Sequence, residues 1–313
     1  MGEEDIIHIQ ATLPFMKEIS GVKPYRIIGP LPAEHESKRT NVEAMEVADV
    51  TICNARLQQG QFSIDDHGFE FIRFEYNTQL VGDNPEAAQG FLEEVVTFLQ
   101  GRFQTLHVFS YDLRVSSRPL RSSSRAVLIA LAYRFVLAKR RTLRGTPKGW
   151  LQGALSRIGR HLHDHEKESM LTDDYRILAV NTWMPLDVPA IDRPLVIGDR
   201  RTFLQADVIP ADQVFTDFLG EYSHPRPNEG QQWYWLDHQE PGEMTIFCSF
   251  DSSVPGDGGA CPHGTFHNPR ATFESPRRKS VETRSLIFLP GGNIPKKNEL
   301  YGLGNSCPLW HIS

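Results

Sequence analysis

Three groups of side chains have the types and spacing to do chemistry. The densest is His161-Leu162-His163-Asp164-His165-Glu166, three imidazoles and two carboxylates in a short run. Such groups ligate divalent metals, and the run falls one residue short of an H-x-H-x-D-H metal-binding pattern. The second group is His263, close behind Cys261. The third is Arg278-Lys279-Ser280, where a guanidinium fork and a hydroxyl suit a carboxylate. Each also has a plainer reading. The segment around His163 is helical by pattern, so His161 and His165 share a face while His163 points elsewhere. A solvated helix surface is expected there. By itself His263 reads as a hydrogen-bonded loop histidine, Arg278 and Arg284 as strand arginines at the surface, and Glu282 with Arg284 as a structural ion pair.

Those groups need a scaffold. Phe69–Tyr76 (FEFIRFEY) alternates apolar and polar residues, which predicts a strand. The clearest helix runs from Asn84 to Gly101, with Asn84 as N-cap, Pro85 in first position, acidic residues early and Gly101 as the stop. Extended pieces are expected at 47–53 and 106–113. Residues 126–144 and 150–170 read as helices, separated by Gly145-Thr146-Pro147. From Tyr175 onward, six short apolar runs alternate with Pro, Gly and Asp, which predicts an antiparallel sandwich or jelly roll. The reading is a single domain over 1–313. It comprises an N-terminal arm with edge strands (1–67), helices and first core strands (68–174), a jelly-roll core (175–290) and a C-terminal tail (291–313).

Hydrophobic content of 40% and charged content of 23% allow a sizeable core and argue against disorder. A net charge of −6 without long runs argues against a nucleic-acid partner. The basic stretch 134–148 reads as a solvated helix end and loop. Cys53, Cys248, Cys261 and Cys307 lie far apart with no C-x-x-C, so no disulfide framework is expected. The N-terminus lacks the basic and apolar regions of a signal peptide. The longest apolar run, 126–138, is too short to cross a bilayer. A soluble cytoplasmic protein acting on small molecules is expected, without membrane or nucleic-acid partners. A homodimer is left open.

Four segments of the C-terminal half carry a resemblance. Asn181-Thr182-Trp183-Met184-Pro185-Leu186, with Asp192-Arg193-Pro194-Leu195 and Asp199, is similar to an "N-x-W-x-P-L … P-L-x-x-x-D" signature. Trp233-Tyr234-Trp235, Glu243 and Phe250-Asp251-Ser252 are similar to "W-Y-x … E-x-x-x-F-x-x-x-D-S". Pro262-His263-Gly264-Thr265-Phe266 with Pro269 is similar to "P-H-x-x-F-x-x-P". Arg278-Lys279-Ser280-Val281-Glu282-Thr283-Arg284 is similar to "R-x-S-I-E-x-R". Over roughly residues 68–290 the chain therefore resembles the gibberellin desaturase-like fungal 2-oxoglutarate oxygenases. That group includes cephalosporin methoxylase-like and aspergillic-acid-hydroxylase-like enzymes. The resemblance implies a mixed α/β, mainly β fold: a double-stranded β-helix, or jelly roll, with flanking helices and iron at its open end. It implies that His263 matches the distal iron-binding histidine and that Arg278 and Ser280 match the pair gripping 2-oxoglutarate.

One departure from the family outweighs these matches. A facial triad takes two histidines and one carboxylate, and the family supplies two of the three as an upstream His-x-Asp. No histidine lies between His107 and His161, the window where that pair belongs. The equivalent positions fall near Thr146-Pro147-Lys148, and an ammonium there would oppose a cation. The expectation is an oxygenase scaffold that has lost its iron and needs no cofactor.

A metal-independent enzyme of fungal secondary metabolism follows, a cyclase acting on polyketide or terpene substrates. Its most concrete form is an intermolecular hetero-Diels–Alderase joining an ortho-quinone methide to a terpene alkene. His263, Arg278, Ser280, Tyr234 and Lys148 are the expected hydrogen-bonding and catalytic groups. Trp183, Trp233, Trp235, Phe266 and Arg284 are the expected substrate-binding residues. Two alternatives stand beside it. The first is an active Fe(II)/2-oxoglutarate hydroxylase or desaturase with an atypical ligand set drawn from His161, His163, His165, His263 and Asp112. The second is a non-catalytic partner of an active homologue.

Overall fold

The computed structural model describes residues 7–58, 60–80, 84–117, 164–170, 174–215, 219–254 and 259–291. In chain order the strands begin with β1 (His8–Met16), β2 (Tyr25–Ile27), β3 (Ala44–Asn54), β4 (Phe69–Arg73) and β5 (Val108–Ser117). They continue with β6 (Tyr175–Pro185), β7 (Leu195–Gly198), β8 (Val208–Val214) and β9 (Leu219–Pro225). The last four are β10 (Trp233–Trp235), β11 (Glu243–Asp251), β12 (His263–Thr265) and β13 (Lys279–Pro290). Helix α1 spans Pro85–Phe103 and α2 spans Asp164–Met170.

Two five-stranded sheets, in the orders β1-β3-β10-β7-β12 and β4-β11-β6-β13-β5, make the two walls of a jelly roll. Apolar side chains from both walls meet between them. Cys53, Leu195, Ile197 and Tyr234 from the first sheet pack with Phe69, Trp183 and Phe247 from the second. Strand β6 lies between β11 and β13 and is buried along nearly its whole length, with Asn181 and Thr182 as polar residues inside an otherwise apolar run. Its other face is covered by α1, whose Phe91, Val95 and Leu99 pack on Leu178, Val180 and Met184. The spacing of those three helix residues is one turn apart, which places them on a single stripe.

The start of α1 follows the sequence. Asn84 Oδ1 accepts from the Glu86 and Ala87 N–H groups at 3.0 and 3.3 Å. Asn84→Ala should therefore cost about 1 kcal/mol in urea denaturation, with no effect on any ligand bound between the sheets. The expected stop at Gly101 is corrected. The helix runs through Gly101 to Phe103 and ends on Gln104 in the left-handed conformation at φ 52°.

Other expectations are also revised. Strands β1 and β3 build the first sheet, burying Leu13 and Phe15 in it, and do not merely wrap the core as an arm. Strands β9 and β12 were not anticipated, being polar in the first case and three residues long in the second. A third sheet, β2-β8-β9, stands beside the two walls. The helix expected at 126–144, and all of the second except α2, lie outside the described residues. Cys248 and Cys261 are free buried thiols, whereas Cys53 is disulfide-bonded, which the wide spacing of the four cysteines does not foretell. None of the described helices is long and apolar enough to cross a membrane.

A buried ion network ties the loop before β4 to the ends of β6 and β11. Asp251 is fully buried and accepts from Arg176 Nε and Nη2 at 3.0 and 2.7 Å and from Arg200 Nη1 at 3.3 Å. The Ser253 N–H and Oγ–H donate to it as well, at 3.0 and 2.7 Å. Arg176 reaches on to Asp65 at 2.7 Å. Gly68 closes that loop at φ +81°, where an added Cβ would sit 2.5 Å from Cys261 Sγ and 2.6 Å from Arg200 Cδ. Only glycine allows the chain to pass there.

Candidate functional site

Alternation along β13 decides what faces the interior. Val281 turns outward into the layer beneath α1, so Ser280, Glu282 and Arg284 turn inward. Glu282 Oε1 accepts from Arg284 Nε and Nη2 at 3.1 and 2.9 Å and from Asn181 Nδ2 at 3.1 Å. Ser249 donates its hydroxyl to Asn181 Oδ1 at 2.8 Å, which fixes the amide so that its nitrogen faces Glu282. Arg284 Nη1 lies 3.3 Å from Asp112 Oδ2, and Arg114 Nε donates to the same oxygen at 2.9 Å. Each interior carboxylate is thus matched by a guanidinium.

His263 comes from the opposite wall. It sits on β12, at the end of the first sheet among the described residues, paired with Ile197 of β7. Its Nδ1 lies 3.0 Å from the Cys261 carbonyl oxygen. A carbonyl can only accept, so Nδ1 carries the proton and Nε2 presents a lone pair. Burial lowers the imidazole pKa and Glu282 opposes the shift, while Arg284 adds to it. The ring is neutral at pH 7. It packs against Phe247 with centroids 4.5 Å apart. At the start of β13 the Arg278 guanidinium lies 5.4 Å from the centroid of Trp183, and its main-chain N–H donates to Asp192 Oδ1 at 3.1 Å.

The structure therefore gathers His263, Arg284, Trp183, Arg278 and Ser280 on the interior faces of the two walls, with Ser280 itself buried. It separates others. Tyr234 also faces inward, but Ile197 stands between it and His263 in the sheet, roughly two strand spacings or 10 Å. Its hydroxyl donates to Gln232 Oε1 at 3.2 Å, and its ring is packed by Phe62 and Phe69. Burial raises its phenol pKa. It is no donor to His263's surroundings. Trp233 and Trp235 are corrected more sharply. Period-2 alternation around Tyr234 turns both to the far face of β10, where they are buried with Phe15, Leu13 and Phe266 against β1 and β3. Phe266 goes with them, so none of the three lines the interior.

Lys148, His161 and His163 lie outside the described residues. His165 is on α2 and exposed. Among the described residues no group of three metal-binding side chains comes together. His263 suits a metal ligand, since its outer nitrogen is held by a carbonyl and its inner one is available. The carboxylates facing it do not, because Glu282 and Asp112 are both engaged by arginine. The described residues thus do not fit a two-histidine, one-carboxylate iron site.

Sequence reasoning missed Ser249 and Phe247 as interior groups, had Asn181 only inside a signature and Asp112 only as an alternative metal ligand, and took Glu282 only as an ion-pair partner. The signal was present for Asn181 and Glu282. Asn181 precedes Trp183 by two residues and Glu282 follows Ser280 by two, so alternation alone put each on the face of a residue already singled out.

Comparison with known proteins agrees with this architecture. A family model described as Oxidoreductase/YMDC permease-like domain matches residues 13–288. Aspirochlorine biosynthesis protein N of Aspergillus oryzae is 36% identical over 138 residues, 44% of this chain and 57% of that protein, so the match spans little more than half of that relative. The Fe(II)/2-oxoglutarate-dependent dioxygenase nvfI of Aspergillus novofumigatus is 26% identical over 246 residues, 75% of this chain and 81% of that one. The hydroxylase/desaturase asaB of Aspergillus flavus is 27% identical over 164 residues, covering 43% and 70%. A solved structure of the iron and alpha-ketoglutarate-dependent endoperoxidase NvfI superposes with a TM-score of 0.72 at 21% identity, covering 91% of this chain and 99% of that one. Two of these relatives are named as a dioxygenase and a hydroxylase/desaturase, and the fold is that of the NvfI structure.

Proposed function

Because the chain belongs to the Oxidoreductase/YMDC permease-like domain family, we propose that it is an enzyme of small-molecule secondary metabolism working between the two walls without iron. The observation that carries this is the donor set. One neutral histidine presents Nε2 to the interior, and the carboxylates opposite are neutralised by Arg284 and Arg114. That arrangement suits hydrogen bonding and orientation better than Fe(II) coordination. The reaction type is a cyclisation, in its most specific form a hetero-Diels–Alder joining of an ortho-quinone methide to a terpene alkene. Trp183 and Phe247 hold two apolar partners in one orientation, and effective molarities of about 10⁵ M or more follow from good alignment. Arg278 and Ser280 polarise a carbonyl oxygen by donation. His263 Nε2 accepts from a substrate hydroxyl and fixes its rotation.

A second reading has its own support. Arg278, one residue before β13, lies against Trp183, and Ser280 on β13 turns to the same interior, as a 2-oxoglutarate carboxylate would require; nvfI is named an Fe(II)/2-oxoglutarate-dependent dioxygenase. The two separate in one experiment. Anaerobic titration of the purified chain with Fe(II) and 2-oxoglutarate should show no stoichiometric binding. His263→Ala should lower cyclisation by about 10²-fold and leave it measurable. Stoichiometric iron, lost together with all activity in His263→Ala, restores the oxygenase.

A further inference from the structure

The interior has a wet side and a dry side. On the wet side Glu282 and Asp112 keep 24% and 28% of their side chains exposed. On the dry side Phe69 and Phe247 are fully buried. Phe247 stands at the boundary, with its ring tilted 50° against His263. Behind it the stack continues without a gap. Phe69 pairs with Phe247 across β4 and β11, Phe62 stacks on Phe69 at 5.0 Å, and Tyr234 meets Phe62 edge-on at 4.9 Å. A wall backed by close-packed aromatic rings cannot step aside for a ligand.

Resting on the reading of the interior as the substrate site, the geometry points to Phe247 as the residue that sets how long a hydrocarbon segment the site accepts. The ligand is an amphiphile. Its oxygenated end meets Arg278, Glu282 and Arg284, and its bare hydrocarbon end abuts Phe247. The phenyl ring and Ile197 offer no partner to a polar group there, and His263 Nε2 beside them offers only an acceptor, so a carbonyl at that end would lose its water without replacement. Phe247 is a specificity residue in this account, and no bond is made or broken at it.

The test uses the full chain labelled with fluorotryptophan and titrated with para-ethylphenol, para-butylphenol and para-hexylphenol. Trp183 lies in the same apolar layer as Phe247, so its fluorine resonance, assigned with Trp183→Phe, reports occupancy. In the native chain affinity should stop improving at one tail length. Phe247→Leu should move that limit outward, raising the hexyl-to-ethyl affinity ratio about fourfold for each extra methylene admitted. Phe247→Trp should move it inward. Phe91→Leu makes a similar void on the far side of β6, beneath α1, and should leave the ratio native. If both Phe247 variants keep the native ratio while Trp183 still responds, Phe247 is not the wall and the inference falls alone. If Trp183 answers none of the phenols in the native chain, the interior site itself is overturned.

Discussion

Asp251→Asn is expected to destabilise the protein by about 3–5 kcal/mol, read as a shift of the urea midpoint at unchanged slope. The substitution removes the one negative charge between Arg176 and Arg200, whose side chains are only 14% and 6% exposed. Two guanidinium groups are then left desolvated without their common partner. Burial alone would raise the Asp251 pKa, but hydrogen bonding and charge from Arg176, with Arg200 adding to it, outweigh burial and hold it below the usual carboxylate range. A carboxyl depressed in the folded state contributes stability above its unfolded pKa of about 3.9, and that contribution drains away as the pH falls toward the folded value. The gap between native and variant should therefore be constant from neutral pH to about 5 and close only in stronger acid. A gap that closed already at pH 6 would mean that another group carries the network.

Trp233→Ala is expected to cost a similar amount, about 3–5 kcal/mol, while leaving phenol binding at Trp183 unchanged. Trp233 is 2% exposed and makes edge contacts with Phe15 at 5.9 Å and Phe203 at 5.2 Å. Its removal opens a void among packed rings that cannot collapse. Calorimetry of unfolding together with the fluorine titration separates this from a role in the site. A variant of native stability with altered phenol affinity would return Trp233 to the interior.

The fold was largely legible because its strongest signals are local. The cap at Asn84, the alternation at Phe69 and the six apolar runs after Tyr175 each needed only a few neighbouring residues. The site was legible as to strand and less so as to face. Arg278, Ser280 and Trp183 came to lie on the interior faces of the two walls. Trp233 and Trp235 did not, because an aromatic triplet on a strand must divide between two faces, and only pairing with β3 and β7 decides which. Asn181 and Ser249 were harder still. Their hydrogen bond joins residues 68 apart in sequence and depends on the register between β6 and β11, including its irregularity between Cys248 and Phe250.

Strand β13 has a consequence for the order of events during synthesis. It pairs with β6 on one side and β5 on the other, and it brings Ser280, Glu282 and Arg284 with it. Its partner residues in β5, such as Asp112 opposite Arg284, leave the ribosome some 170 residues earlier. Loops of that length must close before any pairing repays them, so folding belongs to the slow, non-local regime of milliseconds to seconds. Until β13 arrives, β6 has one edge open and Asp112 has no Arg284. The nascent chain therefore carries an unfinished sheet edge of apolar sequence (the kind chaperones hold), and the site is completed only by the last described strand.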